Sequence, residues 1–167
     1  MTRKIFIIIL SICAVLWLAF IFSNSLDNGS ASTEKSSIVT EIVNAAVHFL
    51  GYDGDISHKF VRKFAHFSEF FVLSALISAD ISAIFYSRLH RNPYFLLLCS
   101  AASVPSCAIF ACCDETIQLF SDGRAAQLTD VLIDSSGGLC GYALFALCFT
   151  VTAVLYKKIA KKSGFGK

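Results

Sequence analysis

Apolar residues fill four long stretches of the chain, from Ile5 to Phe22, from about Phe64 to Tyr86, from Tyr94 to Cys113 and from Val131 to Tyr156. A helix needs roughly 20 residues, at about 1.5 Å rise each, to cross a hydrocarbon core of about 30 Å. The pattern therefore predicts four membrane-spanning helices. Between the first two, Ile38, Val39, Ile42, Val43, Ala46, Val47 and Leu50 recur at helical spacing, with Glu34, Lys35, Glu41 and Asn44 on other faces. That is the pattern of an amphipathic helix lying on the outer leaflet. Ser32 or Thr33 suits its N-cap, Glu34 its first turn, and Gly51 a left-handed end. It serves either as a lid that touches lipid or as a connector over apolar surface, and the pattern leaves both open. Residues 51–60 read as a loop, Ser87 to Pro93 as a short polar link, and Asp122-Gly123 as a turn before Thr129, a candidate cap for the last span. The predicted class is all-α: one polytopic domain over residues 1–167, with four spans and one interfacial helix.

Charge fixes an orientation. Nine of the fourteen Lys and Arg residues (Arg3, Lys4, Arg88, Arg91, Lys157, Lys158, Lys161, Lys162 and Lys167) flank the spans on one side, whereas eleven of the twelve acids fall on the other. Short basic segments stay cytoplasmic, so both termini are expected inside, and residues 23–63 and 114–130 outside. A composition of 56% apolar residues with mean hydropathy +0.67 leaves room for one bundle and no separate soluble domain. The net charge of +2 comes from ordinary cytoplasmic flanks, without the basic, aromatic-interleaved patch that nucleic acid requires. Seven cysteines sit in or at the ends of the spans and read as small apolar residues, not as a zinc or disulfide framework. The first apolar run, 18 residues, exceeds the usual signal-peptide core of about 7–15 and reads as a retained helix.

Ionisable residues inside spans are costly and should face protein or water. At about 100° per residue, Arg62, His66, Glu69 and Asp80 form one stripe on the second helix. Ser100, Ser103, Cys107, Asp114 and Gln118 form one on the third, with Glu115 about 100° away, and Asp130, Asp134, Gly137 and Gly141 form one on the fourth. The stripes can share an axis, which predicts one polar pocket at the outer membrane surface. Gly137 and Gly141 have the spacing that admits a close neighbouring helix. Arg62, Lys63 and Arg124 then face six carboxylates: Glu69, Asp114, Glu115, Asp122, Asp130 and Asp134. Surplus buried carboxylates hold protons or recruit a cation, so shared protons, a cationic head group or a divalent metal ion are the options. His66 and Glu69, three apart on one face, could ligate a metal together or pair as acid and base, with Asp114 and Glu115 as further catalytic candidates. Arg62 and Arg124 could clamp a phosphate or carboxylate, with Lys63, Gln118, Asp130 and Asp134 completing a binding site, or merely neutralise neighbouring acids. Asp80, deeper and without an obvious partner, reads as an interfacial residue.

The run Lys63, His66, Phe67, Glu69, then Asp114, Glu115, Gln118, Phe120, Gly123, Arg124, then Asp130, Gly137 and Gly141 resembles the VanZ-like family of bacterial membrane proteins. The resemblance covers residues 62–141, and serines 23, 25, 32, 36 and 37 are similar to the family's serine-rich segment after the first helix. Asp134 stands where many relatives have Asn, and Phe70 where they often have Tyr. The resemblance implies a bacterial envelope protein, since the family's namesake is associated with resistance to the glycopeptide teicoplanin. Two functions follow as expectations: a binder of an envelope component, such as a lipid-linked intermediate or glycolipid, or a membrane enzyme using His66 with Glu69 or Asp114 as general base. Transport is disfavoured because the inner halves of the helices offer little polarity beyond Asp80. A purely structural role, with the charges stapling helix ends together, is the remaining alternative.

Overall fold

The computed structural model describes residues 2–86 and 93–162. The link at 87–92, expected on the cytoplasmic side with Arg88 and Arg91, and Lys167 lie outside the described residues. Six helices are present: α1 (Thr2–Ser25), α2 (Gly29–Phe49), α3 (His58–Phe85), α4 (Pro93–Ser100), α5 (Ser103–Gln118) and α6 (Leu128–Lys162), with no strand among the described residues. Four spans are long and apolar enough to cross a membrane: Arg3–Ser25, His58–Phe85, Pro93–Gln118 and Leu128–Ile159. These are the four predicted spans, with ends that extend into polar sequence.

The extensions matter because they carry the ionisable residues. The hydroxyl of Ser57 accepts from Phe60 N and starts α3 six residues before the apolar run, so Arg62 and Lys63 are helical. The third span continues to Gln118 and the fourth begins at Leu128. The connection expected over 114–130 is therefore only 119–127, and Asp114, Glu115, Gln118 and Asp130 stand on helices, as their stripes require. The third span is also broken. Pro105 has no N–H to donate to the Ala101 carbonyl, and Ala102 N to Cys99 O at 3.2 Å and Val104 N to Ala101 O at 3.1 Å mark the tightened turn that joins α4 to α5.

Helix α3 is the central element, packed on α6 most extensively and on α1, α2, α4 and α5 as well. A Cβ at Gly137 would strike the Phe67 carbonyl, one at Gly141 the Phe71 carbonyl, and one at Gly138 would lie 2.7 Å from Cys107 Cβ. The glycine row on α6 is what allows backbone contact with α3. Ile21, Phe70, Leu73, Cys107 and Ala111 form the buried core. Beside it, Ser74 and Ser78 donate to the Ser103 hydroxyl at 3.2 and 2.8 Å, an interhelical seam that keeps hydroxyls satisfied away from water. At the far end of α3, Arg3 donates to the carbonyls of Ala83 (2.8 Å) and Ile84 (3.0 Å), which the helix itself leaves without partners.

Helix α2 begins earlier than expected, because the cap is Asn28: its Oδ1 accepts from Ala31 N at 2.8 Å. Thr33 instead donates back to Gly29 O at 2.7 Å. Gly51 does take φ +86° after the helix. The inward face of α2 carries Ser32, Ser36, Thr40 and Asn44, whereas Ile38, Val39 and Ile42 are exposed. The helix thus turns several hydroxyls toward the bundle, while Val43 and Val47 are half-buried and Ile38 and Ile42 are exposed. Its start is pinned by Gly29 N donating to Asp122 O at 2.9 Å, and its middle by Asn44, which exchanges hydrogen bonds with Ile56 N (2.8 Å) and Ile56 O (3.3 Å).

Candidate functional site

The start of α3, the end of α5 and the start of α6 meet beneath α2, and the polar stripes of the three helices converge there. Asp114 and Asp134 are fully buried and Glu115 is 4% exposed. Asp114 accepts from the Ser25 hydroxyl at 2.6 Å and from Gln118 Nε2 at 2.9 Å. Glu115 accepts from Gln127 N at 2.8 Å through Oε2, while its Oε1 has no hydrogen-bond partner. Glu69 accepts from Asn24 Nδ2 at 3.0 Å. Lys63 and Asp130 pair at 2.7 Å, so these two expected ligand-binding residues neutralise each other. The Asp122 side chain is exposed, and that residue contributes through its carbonyl.

His66 lies between carboxylates without a direct hydrogen bond. Its Nδ1 is 3.9 Å from Glu69 Oε2 and 4.0 Å from Asp134 Oδ1, beyond hydrogen-bond range. That nitrogen and both oxygens of Asp134 are buried without hydrogen-bond partners. The ligand atoms of His66, Asp114 and Asp134 all lie within 4.8 Å of one another. These three residues come from three helices, and Glu69, the expected partner of His66, lies as close to its Nδ1 as Asp134 does.

Two cavities adjoin this cluster. The larger, of about 830 Å³, is lined by Ser30, Thr33, Gln118 and Gln127 among others, and the smaller, of about 200 Å³, by Asn24, Ser36, His66 and Glu69 among others. Arg62 and Arg124 line both. Among the described residues neither guanidinium forms an ion pair. Arg124 donates through Nη1 to Ser25 O at 3.4 Å, and its Nε is buried without an acceptor. Burial and then the like charge of Arg62 push the Arg124 pKa below its ordinary value, although an arginine remains charged. Two cations thus line the same two cavities, together with the acids Asp27, Glu34, Glu69 and Asp130.

Residues of α1 were not foreseen as parts of the site. Ser25 and Asn24 hold Asp114 and Glu69, and Ser121 donates to Ser25 O at 2.9 Å; the serine-rich segment after the first span was the available signal. Asp80 also has a partner on α1, the hydroxyl of Ser11 at 2.8 Å, so it is a bonded interhelical residue and not a solitary interfacial one. A model of the VanZ/LLP1 family matches residues 9–149. The chain belongs to the VanZ/LLP1 family. That match extends the resemblance read from residues 62–141 to include α1 and α2, the elements that supply Ser25, Asn24 and the hydroxyl-bearing roof. No curated protein and no solved structure matches the chain.

Proposed function

We propose that this VanZ/LLP1-family membrane protein lies in the bacterial cytoplasmic membrane with its polar cavities on the outer side. There it binds the anionic head group of an envelope component, a lipid-linked cell-wall intermediate or a glycolipid, and so alters the access of teicoplanin-type glycopeptides. The observation that carries this reading is the pair Arg62 and Arg124, which lines both cavities while forming no ion pair among the described residues. Of the acids beside them, Asp130 is paired with Lys63, Asp114 accepts from Ser25 and Gln118, and Glu115 accepts from Gln127 N through one of its oxygens. An anion held between the two guanidiniums would relieve their mutual repulsion through charge-assisted bonds. Orientation is supported by charge: Arg3 sits against the end of α3 remote from Arg62, and Lys157 and Lys158 lie at the opposite end of α6 from Asp130, the arrangement expected of a cytoplasmic flank.

Substituting Arg124→Ala removes one to two charge-assisted bonds, which at about 1.5–3 kcal/mol each corresponds to a loss of at least about tenfold in affinity. Lipids co-purifying with the protein, identified by mass spectrometry, should change accordingly, and teicoplanin susceptibility should rise in cells carrying the variant. Identical lipid content and identical susceptibility would refute the reading.

A second reading, an enzyme acting on a lipid-linked substrate, is favoured by His66, which lines the smaller cavity with Glu69 and whose Nδ1 is buried without a hydrogen-bond partner among the described residues. His66 would act as general base toward a hydroxyl or water. Turnover of envelope lipids by pure protein, abolished in a folded His66→Ala variant, would select this reading over the binder.

A further inference from the structure

We infer that His66, Asp114 and Asp134 hold a divalent transition-metal ion, of the zinc or manganese class, where α3, α5 and α6 meet. Asp134 is fully buried with neither carboxylate oxygen hydrogen-bonded, and one of those oxygens points at the equally unpartnered His66 Nδ1, 4.0 Å away. With Asp114, the three donors come from three helices and lie within 4.8 Å of one another. Donors sharing one ion at bonds of about 2.0–2.2 Å are about 3–4 Å apart, so small rotamer changes suffice to close the set.

Charge and hydrogen bonding both demand an occupant. Two fully buried carboxylates, Asp114 and Asp134, stand beside His66, and among the described residues neither forms an ion pair with a lysine or arginine. A proton on Asp134 could join only one of its oxygens to His66 Nδ1, and only after a rotamer change, whereas buried polar groups are ordinarily all satisfied. A cation satisfies both oxygens and the imidazole at once. Asp114 is already prepared for ligation, because Ser25 and Gln118 donate to its two oxygens and fix its plane, as donors behind metal ligands do, while each oxygen keeps a lone pair. One imidazole with two carboxylates selects zinc or manganese over magnesium or calcium, which prefer oxygen alone.

Three protein ligands leave at least one coordination position open. His66 lines the smaller cavity together with Arg62 and Arg124, so that position would face the space assigned above to an anionic head group. The ion and the two guanidiniums would then grip one phosphate or carboxylate from two sides. This last step rests on the proposed binding function, whereas the metal site does not.

The test uses untagged full-length protein, stripped with chelator in detergent and then offered Zn²⁺, Mn²⁺ or Co²⁺ alone. Elemental analysis should find about one bound ion per chain, thermal unfolding should shift upward on loading because the ion ties three helices, and Co²⁺-loaded protein should show the visible bands of mixed nitrogen and oxygen ligation. Asp134→Asn and His66→Gln should each lose the ion. Arg124→Ala should keep it while losing the anion, so failure of the metal site and failure of the binding function are separately visible. Wild-type protein that takes up none of the three ions, leaving water in the site, would overturn the inference, and so would undiminished uptake by both ligand variants. If the ligand variants do not fold, the wild-type cobalt spectrum decides alone, since a spectrum of oxygen ligation without imidazole is equally fatal.

Discussion

Single residues in this protein differ greatly in what they hold. Ser25 donates to Asp114 at 2.6 Å with both groups fully buried, so Ser25→Ala withdraws a donor from a carboxylate that water cannot reach. The expected cost is about 1–3 kcal/mol of stability. If Asp114 is a metal ligand, ion affinity should also fall about 10–100-fold, the usual effect of losing a bond behind a ligand. Lys35→Ala makes the opposite case. Its 2.6 Å pair with Asp27 leaves the lysine side chain 64% exposed, and exposed pairs contribute about 1 kcal/mol or less. Detergent-solubilised variants followed by thermal unfolding should rank Ser25→Ala clearly below Lys35→Ala; equal midpoints would mean that the hydrogen bond to Asp114 does not support the bundle. Sequence reasoning reached Asp114 because an acid at the end of an apolar span must have a partner. It did not reach Ser25 as that partner, because a serine's role depends on which helix packs opposite, and spacing within one helix carries no such information.

At the scale of elements, the decisive contact is backbone against backbone. Gly137 and Gly141 face the carbonyls of Phe67 and Phe71 so closely that a methyl group at either position would collide with them. A peptide carbonyl cannot rotate away as a side-chain tip can, so α6 would have to lift from α3. Gly137→Ala or Gly141→Ala should therefore cost about 3 kcal/mol, the upper end of overpacking, and should be harsher than Gly123→Ala. Gly123 lies at φ +76° with nothing nearer than 3.8 Å to its would-be Cβ, and strain alone there is about 1 kcal/mol. Unfolding midpoints check the order, and an Ala at 141 milder than one at 123 would contradict the packing. The four spans and this glycine pair were legible because length, apolar run and small-residue spacing are local properties. The break at Ala101–Ala102 is marked in the sequence only by Pro105 with Ser100, Ser103 and Ser106 around it, a local signal that the length and apolarity of the whole run outweigh. The starts of α2 and α3 were hidden for the complementary reason: their caps, Asn28 and Ser57, precede polar turns that hydropathy reads as loop.

For the whole molecule, sidedness joins the chemistry to the cell. Both cavities, the carboxylate cluster and Arg124 occupy one end of the bundle, while Arg3, Lys157 and Lys158 occupy the other. Because basic flanks resist translocation, the cavity end should face outward, and the apolar side chains of α2, Ile38, Val39 and Ile42, should then rest among outer-leaflet lipids beside the site. A chain with its seven free cysteines replaced by alanine or serine allows a direct measurement. Asp122 is the better reporter than its neighbour, since its side chain is exposed whereas Gly123 needs its left-handed backbone. Asp122→Cys should react in intact cells with a thiol reagent that does not cross membranes, and Lys158→Cys should react only after the membrane is opened. The reverse pattern would turn the cavities toward the cytoplasm. An extracellular glycopeptide or outer-leaflet lipid intermediate could then not reach them, and the proposed function would fall even with the helices and the metal ligands arranged as described.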